Sequence, residues 1–162
     1  PHRGLAVARM GAHITYMSDA ALHRKFGRRF QDRSNPTFSF DADFEVESYL
    51  RYQGSSFVER FDANCYLYLS RAMDQFDLAE HGAGSLDAAF AKFRGVQRSL
   101  VLGAQTDMLY TIDQQTLIAE HLRQAGVAVE FHAFPSPQGH DAFLVDTARF
   151  ERAIAGFLAK VG

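Results

Sequence analysis

Cysteine is nearly absent from this sequence. Its single thiol, Cys65, rules out an internal disulfide framework and fits a reducing, cytoplasmic setting. Long apolar runs are lacking as well: nothing approaches the roughly 18 residues of a membrane span. The opening "PHRGLAVARM" has too short an apolar part, broken by Arg9, to be a signal peptide. It also lacks an initiator methionine, so the chain is expected to begin inside a longer protein. Neither sign of charge dominates. A formal net charge of −2 gives no basis for nucleic-acid binding. The basic run Arg24-Lys25-Phe26-Gly27-Arg28-Arg29 reads as a solvated helix end. Seven histidines are present, but none forms an HxH or HxxxH pair and there is no CxxC, so spacing supports no metal site. Internal repeats and low-complexity tracts are missing too.

What remains is an ordinary globular composition, 47% hydrophobic and 22% charged, in a chain whose 162 residues fit one domain by length. The pattern changes near residue 80. Before it, apolar residues recur at helical spacing. One helix runs from Leu5 through Arg9 and His13 to Tyr16. A second, Ala20 to Phe26, is capped by Ser18-Asp19 and ended by Gly27. Residues 28 to 43 read as an irregular connection. "FEVESYLRYQG" predicts a third helix ending at Gly54, and Ser56 to Phe76 a fourth.

After residue 80 helices and strands alternate. "HGAGS" is a linker, and "LDAAFAKFRG" a helix with Ser85 as N-cap. "SLVLGA" (99 to 104) reads as a buried strand. "IDQQTLIAEHLRQAG" is an amphipathic helix stopped by Gly126, and "VAVEFHAF" (127 to 134) is a second strand. "AFLVDTARFERAIAGFLAKV" predicts one last helix. This order implies a parallel α/β sheet. Two strands do not make a stable sheet alone, so further strands are expected from sequence upstream of this chain.

In open α/β sheets, ligands and catalytic groups gather at the carboxyl ends of strands. Asp107 lies three residues past the first strand. His140 lies six past the second, in the stiff loop "PSPQGHDAF". An acid after one strand and a histidine after the next is the latter part of a Ser-Asp-His order. The carboxylate accepts the Nδ1–H of the histidine and holds one tautomer while the other nitrogen handles protons. Each residue also has a plainer reading, Asp107 as a turn or cap residue and His140 as an exposed loop side chain. No GxSxG-like elbow accompanies them, since "QGSSF" sits between helices.

Four segments in order, "GLAVARMGAHITYMSDAALHRKFGRR", "EVESYLRYQGSSFVERFDANCYLYLSRAMDQFD", "TDMLYTIDQQ" and "SPQGHDAFLVD", resemble the homoserine O-acetyltransferase family of the α/β-hydrolase fold. The resemblance runs from residue 4 to about 158 and matches only the latter part of such an enzyme. It implies a helical lid over residues 1–79 and the last strands and helices of the core over 80–162. It implies Asp107 as triad acid and His140 as triad base. It implies Asp141, Arg9 and Tyr16 as substrate contacts. Arg9 and Tyr16 stand two helical turns apart, on one face, and an arginine fork suits a substrate carboxylate. The co-substrate would be an acyl-CoA, acetyl or succinyl, with no bound cofactor. The nucleophilic serine would come from an N-terminal half outside this chain, and a homodimer would form through the lid helices.

The sequence departs from the family in two places. Met108-Leu109-Tyr110-Thr111 replaces a bulky aromatic and a proline after the acid, and Cys65 stands where many relatives have serine. Two other functions stay open on the sequence. One is an esterase using the same triad; the other is a non-catalytic fragment that assembles with an N-terminal half.

Overall fold

The computed structural model describes residues 1–161, which divide into two compact units on either side of the Gln75–Phe76 bond. The first is all-helical. Helix α1 (His2–Tyr16) packs along α3 (Glu45–Val58), and the short α2 (Asp19–Lys25) lies between them in sequence. Ser18 caps α2 by accepting the N–H of Ala21, and Gly27 follows it with φ of +54°. Leu5, Ala21 and Phe26 are buried, and buried His13 meets the Tyr49 hydroxyl through Nδ1 at 3.1 Å.

Gly54 does not end α3. The helix continues to Val58 because Gly54 is a contact point, not a stop. A Cβ there would stand 2.9 Å from the carbonyl oxygen of Ala6 and 3.3 Å from the Ala6 Cβ. The missing side chain is what lets α1 and α3 approach. The break falls later. Asp62 accepts the N–H groups of Asn64 and Cys65 and starts α4 at Ala63, so the fourth helix is Ala63–Asp74 and not Ser56 to Phe76. No residue of α4 is buried; Leu67, Tyr68, Leu69 and Met73 are all exposed.

The connection from 28 to 43 is irregular but fixed. Asp43 accepts the N–H and the hydroxyl of Thr37 and pairs with Arg33. The backbone N–H of Thr37, chiefly, holds the Asp43 carboxyl below the usual carboxylate range, with the Thr37 hydroxyl and Arg33 adding to it against the opposing effect of burial. Glu47 then accepts the N–H groups of Asp43 and Phe44 and secures the start of α3.

The second unit has the expected α/β order. A 3-10 turn (Leu78–Gly82) leads to α5 (Leu86–Phe90), capped by Ser85, and to a second 3-10 turn (Ala91–Gly95). Strand β1 (Arg98–Ala104) pairs in parallel with β2 (Ala128–Phe134), from Arg98 opposite Ala128 to Ala104 opposite Phe134. Helix α6 (Ile112–Gln124) joins them. Thr111 and Gln114 form a reciprocal cap at its start, and Gly126 adopts φ of +87° after its end. Phe90, Val101, Ala119, Leu122 and Val127 form the core.

Three sequence expectations fail here. The helix expected over 86–95 is α-helical only to Phe90 and tightens to a 3-10 turn over Ala91–Gly95. β1 is only partly buried, since Leu100 and Leu102 remain half-exposed in a two-stranded sheet. The last helix is not continuous: a 3-10 turn (Gly139–Asp141), α7 (Ala142–Val145) and α8 (Thr147–Leu158) replace it. Asp146, at φ −97° and ψ 45°, is outside the helical region and breaks the run. Both α6 and α8 pack on the two strands. Among the described residues, no helix is long and apolar enough to cross a membrane.

Candidate active site

The parallel register sets the site. Strands β1 and β2 stop level with each other, and their ladder closes with the N–H of Gln105 donated to Phe134 at 2.9 Å. The loops that follow leave the sheet side by side. One carries Asp107 and the other His140. The Asp107 Oδ2 lies 3.0 Å from the His140 Nδ1. A carboxylate only accepts hydrogen bonds, so Nδ1 carries the proton and Nε2 is the basic nitrogen of the neutral ring.

Asp107 also performs the turn role that its sequence context suggested. Its Oδ1 accepts the N–H of Leu109 at 2.8 Å and of Tyr110 at 3.0 Å. The turn bonds and the histidine bond do not compete, because Oδ1 makes the former and Oδ2 the latter. The backbone bonds immobilise the carboxylate and aim Oδ2 at the ring. Both side chains are largely shielded, 22% exposed for His140 and 11% for Asp107, which spares their bond from competition with water.

Aromatic rings fix the imidazole from two sides. Tyr110 meets it edge-on at 5.1 Å between centroids and Phe143 at 6.1 Å. His140 owes its place to Gly139, buried at φ of +68°, a conformation open to glycine at little cost. A cleft of about 390 Å³ opens beside the pair, lined by Leu102, Ala104, Asp107, Tyr110, His140 and Phe143 among others. That volume is in the range of small-molecule sites.

Asp141 follows His140 in the same turn and is half-buried; it does not line the cleft. Arg9 and Tyr16 belong to the first unit, where they meet each other. The Arg9 Nη1 donates to the Tyr16 hydroxyl at 3.4 Å, and the guanidinium lies 4.8 Å from the centre of the Phe57 ring. The Arg9 Nε is buried with no hydrogen-bond partner among the described residues. Cys65 is exposed on α4. Among the described residues, no group of three His, Cys, Asp or Glu is placed to hold a metal ion. Sequence reasoning missed Thr106 and Phe143, each close in sequence to Asp107 or His140. The glycine of the stiff loop before His140 was the signal that the sequence reading did use.

No family model matches the chain. Homoserine O-acetyltransferase from Rhodopseudomonas palustris is 59% identical over 163 residues, which covers 100% of this chain and 40% of that protein. The Bradyrhizobium diazoefficiens homoserine O-acetyltransferase is 57% identical over 162 residues, again 100% and 40%. Among solved structures, homoserine O-acetyltransferase from Bacillus anthracis superposes with a TM-score of 0.81 at 22% identity, covering 98% of this chain and 41% of that one. Esterase E22 superposes with a TM-score of 0.76 at 21% identity, covering 98% and 42%. The structural likeness places the fold among α/β-hydrolases, as part of one, and the chain spans about 40% of the length of the curated relatives it matches. Over nearly its whole length the chain is similar to homoserine O-acetyltransferases, at 57% to 60% identity.

Proposed function

We propose that this chain supplies the base and the orienting acid of a CoA-dependent O-acyltransferase that acylates the hydroxyl of homoserine or a close analogue. The observation that carries the reading is the 3.0 Å bond between His140 Nδ1 and Asp107 Oδ2 beside an open cleft. High identity to homoserine O-acetyltransferases over the whole chain supports the choice of reaction.

The reaction has two halves. A serine hydroxyl contributed from outside these residues attacks the thioester carbonyl of acetyl-CoA. His140 takes its proton at Nε2 and returns it to the departing CoA thiolate, leaving an acyl-serine. The homoserine hydroxyl then enters, gives its proton to the same nitrogen and attacks the acyl-serine carbonyl. The ester leaves as the serine Oγ regains the proton. In both halves His140 becomes an imidazolium, and Asp107 stabilises that charge while keeping Nε2 aimed at the reacting oxygen. In this reading Asp141 anchors the substrate amino group and Arg9, with Tyr16, the carboxylate.

We read residues 1–79 as the lid that keeps water from the acyl-enzyme. Helix α4 leaves several apolar side chains exposed, Leu67, Tyr68 and Met73 among them, and this supports pairing of two copies through it. A cytoplasmic location accords with the family and with the single cysteine.

The test is an assay of the intact enzyme with acetyl-CoA, with and without homoserine. Acyl transfer to homoserine at a rate well above CoA release without it is the expected result. Equal CoA release in both would make the protein a hydrolase, a chemistry the same His-Asp pair could serve.

A further inference from the structure

The backbone ladder between the strands closes at Gln105 and Phe134, yet the two groups that must meet stand beyond it, at 107 and 140. A side chain takes over the link. The Thr106 hydroxyl donates to the carbonyl of Ser136 at 2.7 Å and accepts the N–H of Gly139 at 3.0 Å. A hydroxyl offers one donor and two acceptor sites, so a single oxygen serves both bonds. Thr106 as a whole is exposed, but its two partners are not: Ser136 is fully buried and Gly139 is buried. Buried main-chain groups need partners, and Thr106 provides them.

The connectivity matters more than the count. Thr106 directly precedes Asp107, and Gly139 directly precedes His140. The Thr106–Gly139 bond and the Asp107–His140 bond therefore close one small ring of four residues. Gly139 has no side chain of its own with which to hold the turn. Its left-handed backbone is fixed through the N–H that Thr106 accepts and through the burial around it.

We propose that Thr106 is a positioning residue for the Asp107–His140 pair. Its hydroxyl pins the 135–139 turn to the loop after β1 and so sets the imidazole opposite the carboxylate. This rests on the reading of that pair as orienting acid and base. Serine carries the same hydroxyl and preserves the function. Valine keeps the branched shape and loses both bonds.

The experiment compares Thr106→Val, Thr106→Ser and His140→Ala in the intact enzyme, assayed with acetyl-CoA and homoserine. Displacing a catalytic group by about 1 Å costs on the order of 10²-fold, so Thr106→Val should lower kcat by about 10- to 100-fold. The KM for acetyl-CoA should stay near wild type. Thr106→Ser should recover most of the loss, and His140→Ala should be inactive. Wild-type turnover in Thr106→Val beside an inactive His140→Ala overturns the positioning role and leaves the acid-base reading standing. Equal losses in the valine and serine variants overturn it as well, because the effect would then be packing. Wild-type turnover in His140→Ala sinks both readings. Should Thr106→Val fail to fold, Thr106→Cys replaces it: its thiol is a poor hydrogen-bonding substitute, and the same decrease relative to Thr106→Ser is expected.

Discussion

Asp107 and His140 are bonded at 3.0 Å through Oδ2 and Nδ1, while the other oxygen of Asp107 is held by the N–H groups of Leu109 and Tyr110. The carboxylate is thus fixed by its own loop before it meets the histidine. The acid is held by two backbone bonds independently of its partner, and the imidazole is oriented by that held carboxylate.

Replacing Asp107 by asparagine should therefore leave the fold intact and remove the function. The amide can still accept from the Leu109 and Tyr110 N–H groups. It cannot hold His140 in one tautomer or offset the imidazolium. Turnover should fall on the order of 10⁴-fold, as when the orienting acid is removed from other triads. Steady-state kinetics on the intact enzyme measures this, and near-normal turnover would take Asp107 out of the mechanism.

Gly139→Ala should damage both stability and turnover. A φ of +68° is open to glycine, whereas a Cβ there costs roughly 1–2 kcal/mol. Asparagine tolerates the left-handed region better than alanine, so Gly139→Asn should be the milder variant. Thermal denaturation ranks the two; an alanine variant as stable as wild type contradicts the argument.

Gly54→Ala tests a different use of glycine. Alanine improves helix propensity by up to about 1 kcal/mol. The added Cβ, however, meets a backbone oxygen of α1 at 2.9 Å, which cannot turn aside as a side chain would. Overpacking typically costs about 1–3 kcal/mol, so the net effect should be a loss of stability. A raised urea midpoint would show that α1 and α3 separate freely.

Asp43 gives the one pH-dependent expectation. Its carboxyl is held below the usual range in the folded chain, first by the Thr37 N–H. The unfolded state therefore binds its proton more readily, and stability rises with pH across the interval between the folded and unfolded values. That contribution is complete above the ordinary carboxylate range and is lost as pH falls through the lowered one. An asparagine side chain at this position does not titrate. The stability gap between wild type and Asp43→Asn should be widest near neutrality and narrow in acid. Denaturation midpoints across that range check it, and a gap independent of pH would refute it.

Much of this was legible locally. Ser18 and Ser85 sit at N-caps, and Gly27 and Gly126 follow helix ends, because a cap or stop depends on a few adjacent residues. The order of β1, α6 and β2 followed from period and punctuation alone. Gly54 was misread because the same residue type stops one helix and admits a neighbour to another, and only the facing Ala6 distinguishes the cases. The last helix was misread at Asp146, whose nonhelical backbone no local pattern announces.

The sequence by itself determined which stretches would be helical or extended, though not each boundary, and that an acid and a histidine would follow successive strands, since hydrophobic period and turn chemistry act over a few residues. Only the tertiary structure decided that Asp107 meets His140, and that Thr106 binds a turn 30 residues away. Such contacts depend on the register of parallel strands, which the intervening helix sets in space and no local sequence term encodes.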